Sequence, residues 1–392
     1  MAYETGTASD YKDLLRRIRR FMLGCATPGT PGYAGTGNGT MTGVDAYPAA
    51  VTETWTIACT AAALNGGTFS VTGSVSGAQA SATVGTPYDN GLIKFTINDG
   101  TTDFIVGDTF TIAVTVGAMP AIERWVDQRW VDAGGGLEWI FKAPGLAGAD
   151  EIYGGVRSYA DSGLDYYNFA MMGCTGFLTG NTFQTQPGFS PERHMMLWNQ
   201  PIVYWLVGNG RRFALVFKIS TYYGSMYLGH LMPYATPQQY PYPLAVGGMS
   251  ATSALRYSVT DATNKSPFDP GGVGTVGGSL LVYHVDGSWQ PYQNWNNSGG
   301  GDAFMAGGAN QLYPLAWNWV RECVDASYAL IPLIFVMNTP TINLIGEMDG
   351  AFWISGFSNA SENTVTIGGD TYLVFQDGFR TGSFNYRALK LA

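Results

Sequence analysis

The chain has 392 residues, of which 53 are glycine, 12% are charged and 14% are aromatic. This composition excludes a disordered chain, which is charged and poor in aromatics, a coiled coil, which needs abundant Glu, Lys and Leu, and collagen, whose glycine recurs every third residue. A net charge of −9 also argues against a nucleic-acid-wrapping protein, which needs a dominant basic surface.

The charge is unevenly placed. Residues 1–24 carry Lys12, Arg16, Arg17, Arg19 and Arg20 against Glu4, Asp10 and Asp13, a balance of +2, which leaves −11 on the rest. Within this segment, residues 9–23 read as one amphipathic helix. Leu14, Leu15, Ile18, Phe21 and Met22 recur at three- and four-residue spacing, with the arginines on the other side. Ser9 is the expected N-cap, Asp10 suits the first turn, and Gly24 stops the helix. The basic helix reads either as an arm that meets the acidic body of another subunit or as a solvated face.

Residues 25–46 are rich in Gly, Pro and Thr with almost no charge and read as a linker. From 47 to 118 the texture changes to short alternating strands around 54–57, 68–71, 93–97 and 109–114. Turn signals separate them at Asn65-Gly66, Asn90-Gly91, Asp99-Gly100 and Gly107-Asp108. Such a pattern suits a small antiparallel sandwich. Aromatics are 8 of the 93 residues in 26–118 and 46 of the 299 elsewhere, so this segment reads as an inserted module.

From 119 onward the chain is rich in Trp and Tyr. Strands are expected near 137–142, 151–159, 166–178, 201–208, 211–223, 226–232 and 328–336, with short strands from 350 to 391. Gly-rich loops are expected over 264–278 and 296–310. Asn209-Gly210 marks a hairpin, which places Arg211 and Arg212 at its tip, either exposed or paired with acidic groups of a neighbouring subunit.

Motifs of chemistry are sparse. His194, His230 and His284 are isolated, so paired zinc ligands are not expected. The run Gly35-Thr36-Gly37-Asn38-Gly39 has the wrong spacing for a dinucleotide fingerprint and precedes no helix. The pairs Asp150/Glu151 and Asp161/Asp165 have the residue types that flank a glycosidic bond, but they sit beside glycine turns, where Asp caps or solvates. Trp289, Tyr292, Trp295, Trp317 and Trp319 are candidates for stacking on sugars, with core or interface packing the stronger reading. Cys25, Cys59, Cys174 and Cys323 are scattered and read as buried thiols of a protein folded in a reducing cytoplasm. No apolar run reaches the length of a membrane span, and the start lacks the apolar stretch of a signal peptide.

Several blocks resemble structural proteins of tailed-bacteriophage and prophage virions. They are MAYETGTASDYKDLLRRIRRFM, APGLAGADEIYGGVRSYADSGLDYYNF, WNQPIVYWLVGNGRRFALVFKISTYYGSMYLGHLMPYATPQQYPYPLAVGG and GEMDGAFWISGFSNASENTVTIGGDTYLVFQDGFRTGSFNYRALKL. The stretch TWTIACTAAALNGGTFSVTGSVSGAQASATVG resembles the Ig-like and other small β modules that decorate phage particle proteins. The resemblance implies a mainly β fold of antiparallel sheets and sandwich, with a short N-terminal amphipathic helix and a small Ig-like insert. Its domains would be a helical arm over 1–24, a linker over 25–46, an Ig-like module over 47–118 and an aromatic-rich β domain over 119–392. It further implies a virion component without catalysis; the expected place is the tail or baseplate, with the chain made in the host bacterial cytoplasm and working without cofactors. Its partners would be itself, as a trimer or hexamer, and other virion proteins. The charge pattern, rather than the resemblance, offers Lys12, Arg16, Arg17, Arg19, Arg20, Arg211 and Arg212 as assembly residues. The arm would dock onto the particle while the insert projects. Rival readings are a receptor-binding tail tip that takes host surface polysaccharide, a capsid decoration protein, and a depolymerase.

Overall fold

The computed structural model describes the chain apart from residues 134, 252–255, 259–265, 269–278, 295–302, 306–327, 338–342, 377, 379–381, 383–384 and 392. The protein is mainly β, built from antiparallel sheets, and among the described residues it has one short α-helix, near its start. It divides into two compact units, Met1–Met22 with Met119–Ala392, and Leu23–Ala118.

In the main unit a five-stranded sheet, Val126–Ala133, Gly136–Ala143, Ile152–Asp161, Tyr166–Cys174 and Arg193–Leu197, runs as a simple meander. A longer hydrogen-bonded path begins at Ala2–Ala8 and continues through Ile202–Gly208, Arg212–Ile219, Tyr222–His230 and Leu244–Gly247. It ends through Asn343–Trp353, Tyr386–Lys390, Asp370–Gln376 and Thr364–Ile367. The five-stranded sheet packs its Leu137, Trp139, Phe141, Val156 and Phe169 in one core with Phe213, Leu215, Phe217, Met226 and Leu228 of the longer path. Val207, Ala214, Val216 and Tyr227 point the other way, into a second core with Leu333, Phe335, Trp353, Phe375 and Leu389. The strand Arg212–Ile219 is therefore covered on both faces. Its near-continuous apolar sequence follows from that, because a half-solvated strand would alternate with polar residues.

The helix spans Tyr11–Leu23. Asp10, not the expected Ser9, is the N-cap, since Asp10 Oδ1 accepts from Asp13 N–H at 2.8 Å. Asp13 Oδ2 returns a bond by accepting from Ser9 N–H at 2.9 Å. Gly24 ends the helix at φ +67°, a left-handed conformation in which glycine has no Cβ penalty. Leu14, Leu15, Ile18 and Met22 are fully buried in the first core. This corrects the expectation of a free arm over 1–24: the helix is a core element. The strand Ala2–Ala8 before it, absent from the sequence reading, pairs antiparallel with Ile202–Gly208 from Ala2↔Gly208 to Ala8↔Ile202.

The inserted unit is a sandwich of a larger sheet, built on Glu53–Ala63, Gly66–Gly73, Gly77–Thr83 and Thr109–Thr115, over a three-stranded sheet of Thr40–Ala46, Tyr88–Asp89 and Ile93–Asn98. Trp55, Ile57, Phe69, Val71, Phe95, Ile97, Phe110 and Ile112 fill its core. The alternation in Thr109–Thr115 matches its burial, with Phe110, Ile112 and Val114 inward. Residues 25–46 are not the expected linker. Thr27–Pro28 and Gly32–Ala34 pair with Thr109–Thr115, and Thr40–Ala46 pairs with Ile93–Asn98. The two ends of this unit lie side by side, since a Cβ on Gly117 would sit 2.7 Å from the Cys25 carbonyl oxygen. Adjacent ends are what allow a folded module to be inserted into another fold.

The single strand expected over 211–223 is two strands in the structure. A hairpin breaks it, with Ser220 at φ +55° between Arg212–Ile219 and Tyr222–His230. The Gly-rich loop expected over 296–310 contains the short strand Ala303–Met305, which pairs with Ile331–Met337. Most of the 264–278 loop, with Trp295, Trp317, Trp319 and Cys323, lies outside the described residues.

Candidate functional site

Three of the helix bases, Arg16, Arg17 and Arg19, are engaged within their own unit. Arg16 donates Nε and Nη2 to the two oxygens of Asp132, each at 2.8 Å. Arg17 bonds Asp13 at 2.9 Å, one turn away. Arg19 pairs with Asp127 and stacks 4.6 Å from the Trp130 ring centroid. Arg20 lies in the last turn, where a cation complements the helix dipole. Lys12 Nζ stands 5.9 Å from the Tyr11 ring. These half-exposed pairs each contribute at most about 1 kcal/mol, so they orient the helix on its sheet more than they stabilise it.

Arg211 and Arg212 differ from the expected exposed hairpin tip. Arg212 is fully buried. Its Nε donates to Asp349 Oδ2 at 3.2 Å, and Asn209 Nδ2 donates to the same oxygen at 2.9 Å. Asn209 Oδ1 in turn accepts from the backbone N–H of Arg211 at 2.8 Å and of Arg212 at 3.1 Å. Burial alone would raise the Asp349 pKa, but Arg212, Asn209 and Arg211 more than offset it, and the carboxyl is held below its usual range. The cluster locks the hairpin to the strand Asn343–Trp353. Asp349 was not singled out from sequence. Its signal is weak: Asp349 is one of two acids, with Glu347, in the mostly apolar run Asn343–Trp353, where a buried charge is tolerated only when partnered.

Three of the four acids in the carboxylate pairs, Glu151, Asp161 and Asp165, are absorbed in turns and ion pairs. Asp161 Oδ1 accepts from Gly163 N–H at 2.8 Å and Leu164 N–H at 3.2 Å. Asp165 pairs with Arg256 at 2.6 Å, and Glu151 with Lys142. The histidines are all buried. His194 Nδ1 shares a bond of 2.8 Å with Tyr159 Oη, and His284 Nε2 one of 2.8 Å with Tyr292 Oη. Burial lowers the pKa of His194 to about 4 and that of His230 to about 3. Trp289 is used by the fold, donating Nε1 to the Gly188 carbonyl at 2.8 Å and packing 5.0 Å from Tyr283. Tyr292 is fully buried. Cys59 and Cys174 are buried thiols, and burial pushes Cys174 up to about 12. Among the described residues no three His, Cys, Asp or Glu side chains gather as a metal-binding group, and no helix is long and apolar enough to cross a membrane.

One surface is built rather than incidental, at the end of the inserted unit away from its two chain ends. The hairpin Glu53–Ala63/Gly66–Gly73 extends past the start of Thr109–Thr115, whose Thr109 pairs with Ala58. At its turn Leu64 is 82% exposed, and in the neighbouring loop Val106 is 64% and Ile105 49% exposed. These apolar side chains stand on tied backbone. Asn65 N–H donates to Asp103 Oδ1 at 2.9 Å, and Gly107 N–H donates to the Cys59 carbonyl at 3.0 Å. Behind them the buried Asp108 carboxylate accepts from Thr36, Gly37 and Ile105 N–H at 2.8, 3.0 and 3.0 Å and from Tyr33 Oη at 2.9 Å. Burial would raise the Asp108 pKa, and these donors bring it below the usual value. The run Gly35–Gly39 follows from this knot, because a Cβ on Gly35 would overlap the Asp108 carboxylate and one on Gly39 the Phe104 ring. Sequence reading marked Asp108 only as a turn residue. No model of a known protein family matches the chain, and neither does any curated protein.

Proposed function

We propose that the chain is a structural component of a tailed-bacteriophage virion, part of the tail or baseplate, acting through subunit–subunit contacts. The observation that carries an assembly role is the tip of the inserted unit. Leu64, Ile105 and Val106 are held in water on backbone that is already hydrogen-bonded, so little ordering entropy remains to be lost on contact with another protein. The four sequence blocks similar to virion proteins supply the setting. Three of the paired acids fit the same direction, since Glu151, Asp161 and Asp165 serve turns and ion pairs.

Quantitative mass spectrometry of purified particles from the source tests this, with copies of the chain counted against the major capsid protein. A low count in a multiple of three or six is expected for tail or baseplate, where symmetry sets the number. Hundreds of copies would move the chain to a capsid decoration role. Its absence from particles would overturn the proposal.

A further inference from the structure

We propose that the strand Ala2–Ala8 is a docking edge, on which a second copy of this chain pairs through its own Ala2–Ala8, antiparallel about a two-fold axis at Thr5. The strand closes one end of the longer path and has Ile202–Gly208 as its neighbour among the described residues. An edge strand turns the N–H and C=O of every second residue away from its neighbour. Among the described residues, 2–8 make no backbone hydrogen bond beyond the pairing with Ile202–Gly208. Tyr3, Thr5 and Thr7 are exposed beside that open edge.

The other sheet edges among the described residues are blunted, and blunting hinders the addition of a strand. Val126–Ala133 slips register between Asp127 and Arg129, and Thr40–Ala46 between Thr42 and Asp45. Gly77–Thr83 lies opposite a slip between Phe69 and Val71. Thr364–Ile367 has four residues, and Thr27–Pro28, Gly32–Ala34 and Tyr88–Asp89 are shorter still. Arg193–Leu197 is bridged at His194 by Ser250. Ala2–Ala8 instead pairs over seven residues with no slip, no proline and no lysine. Its backbone is already ordered, so little entropy remains to be lost when a strand is added.

The strand's own sequence selects a second copy as the occupant. A two-fold axis at Thr5 sets Tyr3 opposite Thr7 of the second copy, Glu4 opposite Gly6 and Ala2 opposite Ala8, with the two Thr5 residues facing each other. On the exposed face the new neighbours are aromatic with β-branched and threonine with threonine, pairings that stabilise sheets. On the other face the strand's one charge, Glu4, meets a residue without a side chain. Its carboxylate is also held by its own copy, accepting from Tyr204 Oη at 2.5 Å. A chain carrying −9 needs a contact that sets no acid directly against acid, and this register provides one. Such a contact is isologous and closes by itself. The inference deepens the assembly reading and rests on it only for the premise that the chain works as an oligomer.

Sedimentation of the full chain over a range of concentrations, with oxidative crosslinking of cysteine variants, provides the test. Thr5→Cys should give a disulfide-linked dimer above the wild-type background, because residues facing across an antiparallel pair have Cα atoms about 4.5–5.5 Å apart, within disulfide reach. Thr7→Cys alone should not crosslink, whereas a mixture of Tyr3→Cys and Thr7→Cys should. Thr5→Lys sets two lysines face to face and should weaken self-association by about tenfold, less at high salt. Wild-type self-association, carried by backbone groups, should change little with salt. If Thr5→Lys fails to fold, the cysteine variants decide. A wild-type chain that stays monomeric at all concentrations overturns the proposal. So does an oligomer that Thr5→Lys leaves intact, or one that crosslinks through Thr7→Cys alone and not through Thr5→Cys. A dimer paired at Thr5 in a chain missing from particles would keep this inference and sink the virion reading.

Discussion

Asp349→Asn isolates one charge in the main unit. The substitution keeps the size of the side chain and an oxygen for Asn209, and it removes the counterion that Arg212 has among the described residues, Arg212 itself having no exposure to water. A buried ion pair that loses one partner leaves an uncompensated charge, which costs about 3–5 kcal/mol. For a domain of this size that lowers the unfolding temperature by on the order of 10 °C. The assay is calorimetric unfolding of the full chain, where the inserted unit serves as an internal reference whose own transition should not move. Adding Arg212→Met to Asp349→Asn should recover part of the loss, because the stranded cation is gone. A loss below about 1 kcal/mol would refute the reasoning, since that is the size of a solvated pair. The Asp349 pKa is lowered in the fold, so its contribution is complete above the unfolded value near 4 and disappears as pH falls through the folded one.

Other substitutions separate the two units and their titrating groups. Asp108→Ala strands the donors of Thr36, Gly37, Ile105 and Tyr33, and should cost the inserted unit about 2 kcal/mol or more, read as a shift of its own transition alone. His194 and His230, with pKa values of about 4 and about 3, stay neutral in the fold while the unfolded chain takes up protons near pH 6.5. The main unit should therefore lose stability as pH falls from 6.5 toward 4, by about 2 kcal/mol per histidine at pH 5. Glutamine at both positions should flatten that slope, and an unfolding temperature equal at pH 7 and pH 5 in the wild type would count against it. Because Gly117 and Cys25 are adjacent, residues 23–118 expressed alone should unfold in one cooperative step, visible by circular dichroism. Deleting residues 1–24 should unfold the main unit rather than merely free it from a particle, since Leu14, Leu15 and Ile18 leave its core.

Local pattern was enough for much of this fold. The three- and four-residue spacing from Leu14 to Met22 specified the helix, and strict alternation specified Thr109–Thr115, because each reflects the geometry of one element against one apolar surface. The drop in aromatic content and the turn pairs Asn65-Gly66 and Gly107-Asp108 marked a separate β-rich segment before any contact was known. Long-range pairing was a different matter. Ala2–Ala8 looked like the start of an arm because its strand identity rests on Ile202–Gly208, about two hundred residues away. The Gly- and Pro-rich segment 25–46 looked like a linker because its order comes from Asp108 and from partner strands far along the chain, not from its own composition. The double-arginine hairpin read as a solvated tip because nothing in Asn209–Arg212 announces Asp349. Local propensity and periodicity act within a few residues and can be read from the chain directly. The buried charge pairs and the edge strand that close this structure depend on which distant segments meet, and that was decided only when the two cores of the main unit and the sandwich of the insert were packed.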